Sequence, residues 1–289
     1  QAATEGTVVS FPSLGQYTDP GFDNALLTKE RFFYEISWGD GTGIESGETI
    51  PTVQGTRAPT LTRGTFGGSH TYADNGTYTV TVKLTDDDGN SDTETFTVVV
   101  ANANPILTVP SDQSVTEGAL LSLPTIGTFT DKGFNNSLAP TSETFQYAIN
   151  WGDGTVQAKT TVGAVTQGSV GIDTTGFFGG SHRYADDGTY TVTVTVYDDD
   201  GGSDTETFTV TVGNAAPVLT VSANKTIAEG SQLSIAQIGT FTDAGFNNPS
   251  NPAPAGPTTA TFSYTINWGD GTAPDSSSVS AVVQGSPGV

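Results

Sequence analysis

The sequence has no cysteine and no methionine. The first absence excludes disulfide staples and thiol chemistry, so any fold must be held by packing and hydrogen bonds alone. The second leads us to expect a window onto a longer chain. Basic residues are scarce: 9 Lys and Arg stand against 31 Asp and Glu, a formal net charge of −22. A field of that sign repels nucleic-acid phosphates and anionic membrane surfaces and attracts divalent cations. No apolar run approaches the roughly 20 residues needed to cross a bilayer, which excludes membrane insertion by a helix. Charged residues of both signs make up only 14% of the chain, so much of the surface must be Thr, Ser, Asn and Gly.

What is present is repetition. Tyr78 and Tyr190 lie 112 residues apart, as do Phe96 and Phe208. Glu5, Glu117 and Glu229 keep the same step, and so do Asp19, Asp131 and Asp243. The tryptophans Trp38, Trp151 and Trp268 drift to steps of 113 and 117, placing a small insertion before each; the largest is the Pro-, Ala- and Ser-rich run 248–259. A unit of that length is domain-sized rather than a solenoid repeat. The sequence predicts three units with boundaries near Asn102–Pro105 and Asn214–Pro217: 1–103, lacking its first strand; 104–215, complete; and 216–289, lacking its last strands. The third unit is not expected to close its core alone, so further residues or another chain are expected to complete it.

Within 104–215 the pattern is that of strands. Phe145, Tyr147, Ile149 and Trp151 alternate with polar residues, and Tyr190, Val192, Val194 and Val196 alternate with threonines. Pro124 and Gly127 mark a bulge or an edge in the strand 119–130. Gly152-Asp153-Gly154 and Asp200-Gly201 predict turns, whereas 156–176 assigns to no element. No segment has helical periodicity. The expected fold is an all-β sandwich of about seven strands per unit.

Three signatures then converge: Trp-Gly-Asp-Gly-Thr at 38, 151 and 268; Ser-His-x-Tyr at 69 and 181; and Asp-Asn-Gly-Thr-Tyr at 74 with Asp-Asp-Gly-Thr-Tyr at 186. The last resembles the tyrosine corner of immunoglobulin-like sandwiches, and the ordered set resembles polycystic kidney disease (PKD) domains, as found in the repeat arrays of giant bacterial surface proteins. One departure is that the large ring sits next to the Gly-Asp-Gly turn rather than two residues earlier. The resemblance implies extracellular spacing, adhesion or assembly and no catalysis. It fits the residues, which offer no nucleophile elbow and too few histidines for a zinc site. His70 and His182 read as packing residues in a turn before the corner, and the tryptophans read as core. Lys83 and its counterpart Thr195 point outward, which argues against a Lys–Asn crosslink.

The acidic runs 86–88 and 198–200 suggest calcium, a hard cation that takes six to eight oxygens. In such a sandwich the pole facing the preceding unit gathers Asp131 with Asp198, Asp199 and Asp200. The far pole of that preceding unit carries Glu5, Asp40 and Asp74, and the linker adds Asn102 and Asn104. At the next junction the counterparts are Glu117, Asp153, Asp186, Asn214 and Asp243. Cadherin-like arrays hold calcium at this kind of junction. The sequence therefore predicts an extracellular or cell-surface fibre, filament or stalk, stiffened by calcium, with neighbouring copies of the same chain as partners. The alternative is a spacer or a carbohydrate- or matrix-binding accessory domain of a secreted hydrolase or adhesin; its outward aromatics would be Phe33 and Tyr197.

Overall fold

The computed structural model describes residues 1–24, 29–57, 60–139, 141–253 and 256–286. These form strands, turns and loops, with no helix among the described residues. The first repeat supplies β1 (Ala2–Thr4), β2 (Val8–Asp19), β3 (Phe32–Ser37), β4 (Glu45–Thr49), β5 (Thr62–Thr71), β6 (Gly76–Asp86) and β7 (Ser91–Ala101). The second supplies β8 (Ile106–Thr108), β9 (Gln113–Thr116), β10 (Leu120–Asp131), β11 (Phe145–Asn150), β12 (Val156–Thr161), β13 (Ala164–Thr166), β14 (Thr174–Arg183), β15 (Gly188–Asp198) and β16 (Ser203–Gly213). The third supplies β17 (Val218–Val221), β18 (Gly239–Thr242), β19 (Ser263–Ile266) and β20 (Asp275–Ser278).

In the second repeat two sheets face each other, ordered β12-β11-β15-β16-β9 and β13-β14-β10-β8. The first stretch of chain splits between them: β8 runs antiparallel to β10, and β9 crosses to lie parallel to β16. The alternation seen in sequence becomes the core. Val192, Val194, Val196 and Val210 are fully buried against Ile149, Trp151 and Tyr184, while Thr195 faces out and shares a hydroxyl bond with Thr205. The β10–β14 register shifts between Leu123 and Gly127, so of the two readings of Pro124 and Gly127 the structure has the bulge, with β10 lying between β14 and β8. The stretch that assigned to no element holds β12, β13 and the start of β14. Its Thr- and Gly-rich strands carry few apolar side chains, so period two is faint there.

The first repeat keeps the five-stranded sheet β1-β7-β6-β3-β4, with a two-stranded β2-β5 opposite. Its buried cluster, including Ile36, Trp38, Tyr72, Val80 and Val98, is separate from that of the second repeat. Among the described residues the third repeat forms two strand pairs, β17-β18 and β19-β20. Its insert 248–259 closes through an Asn248–Thr258 bridge; residues 254–255 lie outside the described residues.

Two local devices recur. Tyr78 Oη donates to the Asp74 carbonyl at 2.9 Å and Tyr190 Oη to that of Asp186 at 3.0 Å, closing the tyrosine corner in both repeats. The histidines lie within strands β5 and β14, not in a turn as the sequence predicted. The glycine-rich strand ends around them (Gly67-Gly68 and Gly179-Gly180) read as turn chemistry in one dimension. Of these, Gly68 and Gly180 instead let Trp38 and Trp151 lie close to the backbone, while Gly67 and Gly179 face the carbonyls of Phe11 and Pro124.

Candidate metal centre at the repeat junctions

Each junction is first a direct interlock. The loop after β10 is shaped by Asp131, whose Oδ1 accepts the Gly133 N–H at 2.8 Å, and by Thr174 Oγ1, which donates to the Gly133 carbonyl at 2.7 Å. This loop seats on the preceding repeat. Phe134 N donates to the Ala73 carbonyl at 3.0 Å, and Asn136 Nδ2 donates to the Asp40 carbonyl at 3.1 Å. The next junction repeats both bonds: Phe246 N to Ala185 O at 3.0 Å, and Asn248 Nδ2 to Asp153 O at 2.8 Å. Phe134 and Phe246 are buried, at 6% and 7% exposure. Gly6 and Gly118 have positive φ (65° and 71°) and face the carbonyls of Lys132 and Ala244 so closely that a side chain would collide with them.

Beside the interlock lies the acidic site. In the first junction the carboxylate oxygens of Glu5, Asp74 and Asp200 all lie within 4.8 Å of one another, as do those of Glu143, Asp199 and Asp200. Two repeats thus contribute to one cluster, with Asp131 buried beside it. Glu5 is fully buried; its Oε1 accepts the linker Ala103 N–H at 2.9 Å, and its Oε2 has no partner. Asp131 is 3% exposed, and its Oδ2 likewise has none. Among the described residues no lysine or arginine pairs with any of these carboxylates.

The electrostatics follow. Burial, and then the neighbouring carboxylates, push Glu143 up to about 9 and Asp131 up to about 6. Glu5 rises to about 7, chiefly by burial and against the Ala103 hydrogen bond, with Asp131, Asp200 and Asp74 adding to the rise. Burial also raises Asp74 and Asp200. Like charges brought together out of water disfavour ionisation unless a cation joins them.

The other expected ligands divide into three groups. Asp198 lies at the same pole, but its carboxylate caps its own hairpin: Oδ1 accepts from Gly202 N at 2.6 Å, and Oδ2 accepts from Asn102 Nδ2 at 2.9 Å. Asn102 and Asn104 flank Gly202, which places the linker amides at this pole. At the second junction Glu117, Asp186 and Asp187 cluster within 4.8 Å. Glu117 Oε1 holds the Ala215 N–H at 2.9 Å, directly after Asn214, and Asp243 holds Gly245 N at 3.1 Å.

Asp40 and Asp153 stand apart from both clusters. Asp40 Oδ2 bonds His70 Nε2 at 2.7 Å and its Oδ1 accepts from Thr42; Asp153 Oδ2 bonds His182 Nε2 at 2.8 Å and its Oδ1 accepts from Thr155. Burial works to raise both carboxyls, but the hydrogen bonds from His and Thr outweigh it and hold them below the usual range. The imidazoles stack on Trp38 and Trp151 at 5.0 Å. These aspartates fix the turn that receives the next repeat's asparagine.

Sequence reasoning missed Glu143 and Asp187. Glu30 and Glu143 occupy the same place two residues before Phe32 and Phe145, a spacing that could have revealed Glu143. The third repeat has Ala260 there, which breaks the pattern.

Residues 32–99 match the family model described as PKD domain. The chain has no match among curated proteins. Among solved structures it is similar to the fibronectin(III)-like modules of CbhA from Clostridium thermocellum, with 14% identity over 73% of this chain and 88% of that one and a TM-score of 0.26. It is similar to Drosophila N-cadherin EC1-4 at 18% identity, 63% and 41% coverage and a TM-score of 0.27. It is also similar to the protocadherin gammaB7 EC3-6 cis-dimer at 14% identity, 92% and 57% coverage and a TM-score of 0.30. The chain thus spans about half the length of each cadherin chain. PKD domains are typically extracellular or surface-exposed modules of a structural or adhesion type, and typically non-catalytic. The chain is all-β, built of immunoglobulin-like β-sandwich repeats, and its residues 32–99 match the PKD domain family.

Proposed function

We propose that the chain is a load-bearing segment of an extracellular fibre, filament or stalk, divided into units 1–103, 104–215 and 216–289, whose first junction is locked by calcium. The observation that carries this reading is the pair of buried, partnerless carboxylate oxygens, Glu5 Oε2 and Asp131 Oδ2. They come from two repeats and border one cluster with Asp74, Glu143, Asp199 and Asp200. An oxygen-only donor set with this much negative charge suits calcium rather than zinc or a softer metal. Bound there, the cation would supply positive charge shared by both repeats, and the buried carboxylates would ionise.

The direct interlock then sets the direction of each repeat, and the cation resists bending. Neighbouring copies of the chain are the proposed partners, because each repeat offers the same poles. Isothermal titration of the chelator-stripped chain with calcium is expected to show saturable uptake, lost in a Glu5→Gln/Asp131→Asn variant. Small-angle scattering is expected to show a longer maximum dimension with calcium than without. No heat and no change of dimension would overturn the calcium lock.

A further inference from the structure

The acidic residues of the first junction form two triads rather than one group. Glu5, Asp74 and Asp200 bring carboxylate oxygens within 4.8 Å of one another, and so do Glu143, Asp199 and Asp200; Asp200 is common to both. Calcium holds its oxygens at about 2.3–2.6 Å, so two oxygens on one ion stand no more than about 5 Å apart. Among the described residues, no single group of that compactness joins Glu5 and Asp74 to Glu143 and Asp199. One ion can therefore serve one triad, but not all of these carboxylates together.

Each triad has its own buried carboxylate in want of a partner. In the first it is Glu5, fully buried with Oε2 unpartnered. In the second it is Glu143, 4% exposed, whose carboxylate takes no hydrogen bond and no cation among the described residues. The backbone makes room for it: a β-carbon on Gly133 would collide with Glu143 Oε1. Asp199 is brought alongside by its Oδ1, which accepts the Thr144 N–H at 3.1 Å and so ties the β15–β16 hairpin to the residue after Glu143. Asp131 serves both triads, since its charge raises Glu5 and Glu143 alike. A single dication would leave the triad it does not touch crowded, out of water and uncompensated.

We propose that the first junction holds two calcium ions side by side, one on Glu5, Asp74 and Asp200 and the other on Glu143, Asp199 and Asp200, with Asp200 bridging them. The inference rests on the calcium reading above and adds a second ion with a different task. The first ion takes ligands from both repeats and locks them. The second takes all three from the second repeat, where it fixes the β15–β16 hairpin against the segment before β11 and so presents Asp200 to the preceding repeat.

The test uses the chelator-stripped 289-residue chain and a Glu143→Gln variant. Gln keeps the neutral shape that the buried acid has without metal, so the variant is expected to fold, with an unchanged thermal melt in chelator. Calcium titration should count one ion fewer per chain in the variant than in the parent. Loading with equal parts of terbium and europium, oxygen-seeking stand-ins for calcium, should give terbium-to-europium energy transfer in the parent. That transfer falls steeply with distance, so ions at separate junctions do not produce it. It should vanish in Glu143→Gln while terbium still binds. Calcium uptake without energy transfer, or equal stoichiometry in the two chains, would overturn the second ion and leave the junction lock standing. No uptake by the parent would overturn both.

Discussion

The second and third repeats carry almost the same strand before the Gly-Asp-Gly turn, Tyr-Ala-Ile-Asn-Trp and Tyr-Thr-Ile-Asn-Trp, yet their tryptophans end in different places. Trp151 is 2% exposed and Trp268 is 44% exposed. β14 of the opposite sheet covers Trp151, with His182 stacked on its ring and Gly180 against it, and among the described residues no strand pairs with β19 but β20. Period-two patterning thus decides which side of a strand is apolar, but burial needs the opposite sheet. In the first repeat, where β5 lies opposite and His70 stacks on the ring, Trp38 is likewise 2% exposed.

The sharpest way to break this comparison is to delete the rings. Trp151→Ala should cost about 3–5 kcal/mol of stability by cavity formation, and Trp268→Ala less than about 1 kcal/mol. Denaturant melts of the two variants check this, and equal losses would mean that the third repeat is closed in solution.

The junctions differ in charge as the repeats differ in cover, since Glu143 is replaced by Ala260 at the second. The folded pKa values of Asp131, Glu5 and Glu143 (about 6, 7 and 9) lie above their ordinary values. Between roughly pH 4 and 9 the folded state therefore holds more protons than the unfolded one, and stability falls as pH rises through that window. Thermal melts in chelator should show this slope. Saturating calcium should flatten it and release protons on binding at pH 7, and Glu143→Ala should reduce it. Identical slopes with and without calcium would count against a shared cation.

A smaller contrast concerns two glycines of matching conformation. Gly118 (φ 71°) abuts the Ala244 carbonyl, whereas Gly230 (φ 72°) faces open space. Alanine at Gly230 should cost only the left-handed strain, about 1–2 kcal/mol. At Gly118 it should cost that and also loosen the junction, visible as faster amide exchange at Phe246. The smallest effect is expected of Tyr190→Phe, about 1 kcal/mol for one hydrogen bond to the Asp186 carbonyl, and Tyr78→Phe should match it because the corner is the same.

The gathering of acidic residues at the first junction was legible before the fold. Glu5, Asp74, Asp131, Asp199 and Asp200 were expected at one junction, because a sandwich places alternate loops at opposite poles. Asp40 and Asp153 were not separable from that set by sequence. Their engagement with His70 and His182 depends on strands β5 and β14 bringing the imidazoles across, and the glycine-rich ends of those strands read as turns. Glu143 was hidden because it stands alone before a strand, with no acidic neighbour in the chain to mark it.

By itself the sequence determined the repeat, the strand faces and the tyrosine corner, since each depends on residues close in the chain or on a fixed period. Only the tertiary structure decided which carboxylates lost their water and which rings were covered. Desolvation and cover depend on what another sheet or another repeat places overhead, and no local pattern encodes that.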